Sequence, residues 1–153
     1  MVARKLLCIQ AVDASLMTTV LKSLPTWDVL AVNLNDLAAA RKALKDPRYL
    51  VGLLLFPEAK ERDVLDLEAL IESHQATRWV GVFPSEVNRQ PLYRTLIVKH
   101  LFDFLTLPLD PVRLNHSLGH AYGFAELGEM SGVGVAAVMQ RDEIELGIEA
   151  GGA

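Results

Sequence analysis

Two folding signals lie side by side in FDFLTLPLDPVRL, residues 102–114. The first half is a short apolar run typical of a β-strand, and it ends before Pro108. Asp110 and Pro111 have the residue types of a helix cap and a first helical position. An aspartate side chain accepts free backbone N–H groups there, and proline has no N–H to leave unpaired. These residues therefore predict a strand that leads through a short loop into a helix.

The same alternation extends back to the start of the chain. Four more apolar runs, each followed by apolar residues at three- and four-residue spacing, precede it at 5–10, 27–32, 50–56 and 78–83. Parallel strands joined by helices give this pattern, and their right-handed connections place helices on both faces of the sheet. We predict a doubly wound α/β domain over residues 1–127, with a five-stranded parallel sheet and residues 5–10 at its centre.

Composition excludes several classes of protein. The 153 residues are 51% hydrophobic and 22% charged, which is typical of a globular domain. Residues 1–127 hold 14 acidic and 14 basic side chains, so we expect neither nucleic-acid nor membrane binding. Cys8 is the only cysteine, which rules out an internal disulfide and favours a reducing, cytoplasmic location. With no P-loop, G-x-G-x-x-G or G-x-S-x-G motif, we expect no enzyme and no cofactor.

Residues 128–153 differ in kind from the rest. They hold six of the ten glycines, and five acids against Arg141 alone. We interpret them as a glycine-rich acidic linker or tail with a short helix in 135–146.

The run DFLTLPLDPVRL resembles the last strand and loop of bacterial response-regulator receiver domains, in which Lys-Pro usually stands at Leu107-Pro108. The closing segment HSLGHAYGFAEL, residues 116–127, resembles the last helix of the receiver-like domain of VpsR-type sigma-54-dependent transcription activators. That resemblance implies the CheY-like fold, a regulatory function, and partner ATPase and helix-turn-helix DNA-binding domains, neither of which is present in these 153 residues. Some members of that family respond to cyclic di-GMP.

Receiver chemistry requires an aspartate ending the third strand, two acids after the first strand for Mg²⁺, a hydroxyl after the fourth and a lysine after the fifth. Divalent and lysine cations neutralise the transferred phosphoryl group. Here the acceptor position is apolar whichever residue fills it, Leu53, Leu54, Leu55 or Phe56. The remaining positions of this degenerate pocket are Gln10, Asp13, Ser85 and Leu107. Phe104 stands where receivers carry the aromatic residue that switches on phosphorylation, but the simpler interpretation is that it is a core aromatic. Because most of the required groups are missing together, we predict a pseudo-receiver that takes no phosphate.

Cations and an aromatic ring precede the last strand. Arg89, Tyr93, Arg94 and Lys99 could clamp phosphates and stack a base, which would make the domain a cyclic di-GMP receptor, although a solvated helix face is the more ordinary interpretation. A third hypothesis is a magnesium-dependent acceptor with a displaced carboxylate, Glu58 or Asp13.

Two pairs in the last helix stand out. Gly119 and Gly123 each weaken a helix, which indicates close approach of another backbone, either the domain's own sheet or a second subunit. His116 and His120 have zinc-ligand spacing, but the sequence offers no third ligand, and we predict no metal site. His74 and His100 fall at helix ends, where histidines often meet terminal carbonyls.

We therefore expect a regulatory and self-association module that signals without aspartate phosphorylation and forms a homodimer. The candidate interface residues are Leu92, Leu96, Gly119, Tyr122 and Gly123. The sequence leaves open whether the fourth helix and fifth strand, or the first and fifth helices, pair the subunits.

Overall fold

The computed structural model describes residues 4–10, 14–55, 61–85 and 91–131. The five strands are Arg4–Gln10 (β1), Trp27–Asn33 (β2), Val51–Leu55 (β3), Arg78–Phe83 (β4) and Asp103–Thr106 (β5). The five helices are Ala14–Ser23 (α1), Leu37–Ala43 (α2), Glu61–Ser73 (α3), Pro91–His100 (α4) and Pro111–Ser131 (α5). None of the helices in these ranges is both long enough and apolar enough to cross a membrane.

All strand pairs are parallel, and the sheet order is β2-β1-β3-β4-β5. The predicted doubly wound five-stranded fold is therefore confirmed. β1 is an interior strand with a neighbour on each side, but the strand at the centre of the sheet is β3. The order reverses between β1 and β3. In open α/β sheets, ligands bind beyond the carboxyl ends of the strands at such a reversal.

Alternation along the strands builds two apolar layers. Leu6 and Cys8 of β1 point into the layer shared with α1 and α5, whereas Leu7 and Ile9 point into the layer shared with α2, α3 and α4. Both faces of β1 are covered, which explains its nearly uninterrupted apolar sequence.

The helix start predicted at Asp110 and Pro111 is present. The Asp110 carboxylate accepts the backbone N–H groups of Val112 and Arg113 at 3.0 and 3.3 Å, and α5 begins at Pro111. This helix continues to Ser131, past the predicted end near Leu127. The proposed boundary between residues 127 and 128 therefore falls inside a helix. The short helix predicted in 135–146 lies outside the described residues.

Candidate functional site

The carboxyl ends of the strands meet at one edge of the sheet. Gln10 of β1 pairs with Leu55 of β3, Leu55 pairs with Val82 of β4, and Phe83 pairs with Thr106 of β5. The backbone N–H of Leu107 then donates to the Phe83 carbonyl at 2.9 Å. This register places Gln10, Leu55 and Leu107 at the same edge of the sheet.

The β3 side of this edge is apolar. Leu53, Leu54 and Leu55 are fully buried, with Leu53 and Leu55 in the α1/α5 layer and Leu54 in the opposite one. The pairing with Gln10 identifies Leu55 as the β3 residue at the edge itself. Phe56, Glu58 and Asp13 lie outside the described residues. The last described residue of β3, at the edge of the pocket, is therefore a leucine.

Gln10 is the one polar side chain that the described strands place beside Leu55. Its Oε1 atom is buried and accepts no hydrogen bond from any described residue. A shielded amide oxygen without a donor typically costs 1–3 kcal/mol. Gln10 thus brings an unpaired acceptor to the edge, and a neutral amide lacks the charge with which a carboxylate holds Mg²⁺.

The β4 and β5 ends add no cation to the described part of the edge. Leu107 is partly buried against the α1/α5 layer, and its peptide bond to Pro108 is cis. Ser85 is exposed, two residues beyond the end of β4. An apolar side chain thus occupies the position at which the resemblance places a lysine.

Phe104 belongs to an aromatic cluster beneath α4. Its ring centroid lies 6.5 Å from that of Phe83, which in turn lies 5.2 Å from Tyr93. Phe104 is partly buried in the α2/α3/α4 layer. These contacts agree with the simpler interpretation of Phe104 as a core aromatic.

Only the aromatic member of the basic set before β5 is contradicted by the structure. Tyr93 is only 5% exposed and packs on Phe83, because its turn of α4 faces the sheet. The prediction that its ring would stack a base is therefore wrong. Arg94 and Lys99 are exposed on α4 and line one shallow depression, whereas Arg89 lies outside the described residues.

Two of the candidate interface residues are committed to the domain itself. Leu96 is 1% exposed in the core, so its assignment to a subunit interface is wrong. Tyr122 is half-buried, with its ring edge-on to Trp27 at 5.9 Å and the Arg4 guanidinium 5.4 Å from its centroid. The side chain of Leu92 lies outside the described residues.

The glycines of α5 point away from the sheet. A Cβ atom added at Gly119 or Gly123 would meet no other atom within 4 Å. Close approach of the domain's own sheet, one of the two alternatives, is therefore excluded as the reason for these glycines.

The four histidines divide in an unexpected way. His116 and His120 are exposed, and no third ligand joins them within the described ranges. His74 Nδ1 lies 3.0 Å from the Leu70 carbonyl, as predicted for a helix end. For His100 that prediction is wrong, because its Nε2 lies 2.9 Å from Oε2 of Glu68 on α3. Sequence reasoning missed this contact, since the partners are 32 residues apart and meet only through helix packing.

Cys8 is not a reactive thiol. It is fully buried in β1, and burial raises its pKa to about 12 because the thiolate would lose its hydration.

Comparisons with known proteins identify the family and the fold of this chain. The family model of the VpsR domain matches residues 1–119. A comparison with curated proteins gave no match. Among solved structures, the signal receiver domain of a Luxo repressor protein from Vibrio parahaemolyticus aligns at a TM-score of 0.64 and 19% identity, covering 86% of this chain and 98% of that one.

Two further structures show the same fold. NtrX from Brucella abortus, in complex with ADP, gives a TM-score of 0.67 at 15% identity, covering 92% of this chain but 30% of NtrX. A response regulator receiver domain from Clostridium thermocellum gives 0.64 at 12% identity, covering 82% and 98%. At these identities the structures establish the receiver fold, and the family model carries the family assignment.

Proposed function

Since this chain belongs to the VpsR domain family, we propose that it is the regulatory and dimerisation domain of a bacterial sigma-54-dependent transcriptional regulator and that it signals without aspartate phosphorylation. The observation that carries this proposal is Leu55, a fully buried leucine opposite Gln10 at the carboxyl end of β3. An acyl phosphate cannot form on a leucine side chain.

The surroundings of Leu55 support the same conclusion. A phosphoryl group is a dianion, and taking charge out of water costs several kcal/mol per ion unless cations pair with it. Leu107 packs into the apolar layer, and Gln10 contributes only a neutral amide. The described pocket therefore lacks the cation and the metal ligands that would offset this cost.

In the absence of phosphate, a stable or ligand-controlled dimer would set whether downstream ATPase domains assemble. The outward face of α5 is the surface we assign to this dimer. It is defined by Val112, Gly119, Gly123 and Leu127, which lie opposite the buried residues of the helix. The open space at both glycines leaves room for close approach of a second backbone.

Light scattering over a range of concentrations tests this proposal. We expect a dimer whose mass is unchanged by Mg²⁺ with acetyl phosphate, and intact-mass spectrometry that shows no phosphoryl adduct. A Mg²⁺-dependent, alkali-labile adduct would overturn phosphorylation independence. A monomer under all conditions would overturn the dimer. A monomer that dimerises only with cyclic di-GMP would replace the constitutive dimer with a ligand-controlled one.

A further inference from the structure

Three potential metal ligands from two helices converge on one point. Glu68 and Glu72 are separated by one turn of α3, and His100 is the last residue of α4. His100 Nε2 lies 2.9 Å from Glu68 Oε2 and 3.6 Å from Glu72 Oε1. The three ligand atoms all lie within 4.8 Å of one another. Each helix alone provides an incomplete set, so the fold creates the cluster.

The spacing fits a tetrahedral ion. Zinc binds histidine nitrogen and carboxylate oxygen at about 2.0–2.2 Å, which places neighbouring ligand atoms about 3.4 Å apart in a tetrahedron. The two distances from His100 Nε2 lie on either side of that value. The third distance, between the two carboxylate oxygens, is at most 4.8 Å and would have to shorten to about this value by rotation of the glutamate side chains.

The charges also favour a divalent cation. Two carboxylates face a single imidazole nitrogen, and that nitrogen has at most one N–H to donate. A neutral imidazole leaves two negative charges close together, and Zn²⁺ compensates both. Imidazole and carboxylate are donors that zinc accepts, whereas Mg²⁺ and Ca²⁺ prefer oxygen ligands alone.

An entry path and a fourth coordination position are available. Glu72 and His100 line an open groove of about 540 Å³, whose walls also include Arg78, Trp79 and Lys99. The Glu72 side chain is 58% exposed. A metal ion could reach the cluster from solvent and keep a water molecule as its fourth ligand.

From this convergence we propose that Glu68, Glu72 and His100 form a zinc site that cross-links α3 to the end of α4. It differs from the carboxyl-edge pocket in position and in ligands, and it does not depend on how the domain signals. Bound zinc would fix the carboxyl end of α4 relative to α3.

Calorimetric titration of the untagged chain with Zn²⁺ tests the site. Exposed histidines at i, i+4 can also bind zinc, so a His116→Asn/His120→Asn double variant is the background for the measurement. We expect one ion per chain in that background. Glu72→Gln should weaken zinc binding at least about tenfold. Loss of a residue that only supports a metal ligand already weakens binding by about this factor, and loss of a ligand itself should cost no less.

A matched control and a second measurement make the result decisive. Asp66→Asn removes another exposed carboxylate of α3 that is not in the cluster, and it should leave zinc affinity unchanged. Zinc should also shift the NMR signals of the His100 ring, and Mg²⁺ should not. The proposal is overturned if no ion binds in the double-variant background, if Glu72→Gln binds as tightly as its parent, or if Asp66→Asn loses affinity equally.

Discussion

Gln10 and Leu55 face each other across β1 and β3 at the carboxyl end of the sheet. The amide oxygen of Gln10 is buried without a described partner, and the Leu55 side chain has no exposed surface. A carboxylate at position 55 would thus be buried in an apolar layer, and no cation of the described residues would pair with it. The chain therefore lacks acceptor chemistry for two reasons: position 55 is a leucine, and the apolar packing around it would disfavour a charged side chain there.

Leu55→Asp tests that view. We expect the introduced carboxylate to lower the free energy of unfolding by roughly 3–5 kcal/mol, the range for an uncompensated buried charge, and to gain no phosphoryl adduct from acetyl phosphate. Urea unfolding and intact-mass spectrometry measure the two effects. Leu55→Met is the control, since a swap of similar volume typically costs less than about 1.5 kcal/mol. An aspartate variant as stable as its parent would contradict the apolar pocket.

Position 52 of β3 must be a glycine because the indole ring of Trp79 on β4 occupies the space of a side chain. An added Cβ would overlap the six-membered ring of Trp79, which is fully buried and cannot move aside. We expect Gly52→Ala to destabilise the domain by roughly 1–3 kcal/mol, the usual cost of overpacking. Gly119→Ala on α5 meets open space within the chain and, at concentrations below the dimer dissociation constant, should instead stabilise the helix by up to about 1 kcal/mol. Urea midpoints that moved in the same direction would contradict this account.

Much of the fold is predictable because local signals coincide with tertiary demands. α4 ends at His100, a position that the sequence predicts to be a helix end, and it begins at Pro91 because the ring of proline favours the first helical position. The bounds of β4, Arg78–Phe83, match the prediction because the strand is an apolar run bounded by polar residues and Pro84. The exposure of individual helix residues is less predictable. Tyr93 has an amphipathic side chain, and only the position of α4 over Phe83 determines that it is buried.

The carboxyl-edge pocket and the α3/α4 cluster show the same division. The sequence alone shows that a leucine replaces the carboxylate at position 55 and that another replaces the cation at position 107, because both lie in or next to strands that the sequence predicts. The meeting of Glu68 with His100 depends on how two helices pack, and periodicity within either helix carries no information about it.

The buried thiol of Cys8 should make stability fall at alkaline pH. Its pKa is raised from 9.0 to about 12 in the folded chain, so the unfolded chain loses this proton first. The contribution of Cys8 is complete below about pH 9 and declines as the pH rises towards 12. Urea unfolding of Cys8→Ala and the parent should therefore show a difference that shrinks over this range. A difference that stays constant would contradict burial of the neutral thiol.

Ser117 anchors α5 to the beginning of β5. Its Oγ donates to Oδ2 of Asp103 at 2.7 Å, and Ser117 is buried. Ser117→Ala leaves that carboxylate oxygen without its donor, which should cost about 1–3 kcal/mol in urea unfolding. Ser23→Ala removes an exposed hydroxyl that donates to the Thr19 carbonyl, and it should change stability by less than about 0.5 kcal/mol. Equal losses in the two variants would contradict a special role for the buried bond.

Gly123→Leu tests the outward face of α5 as the subunit interface. Because open space surrounds Gly123, the variant should fold, and its circular dichroism should match that of the parent. At protein concentrations below the dimer dissociation constant, its urea midpoint should match or exceed that of the parent. If a second backbone approaches there, the leucine should hold it away and raise the dimer dissociation constant at least about tenfold, or 1.4 kcal/mol. Sedimentation equilibrium measures that constant. Lys42→Leu adds an exposed leucine on α2 and should leave it unchanged. A folded Gly123→Leu dimer as tight as the parent would place the interface elsewhere on the domain.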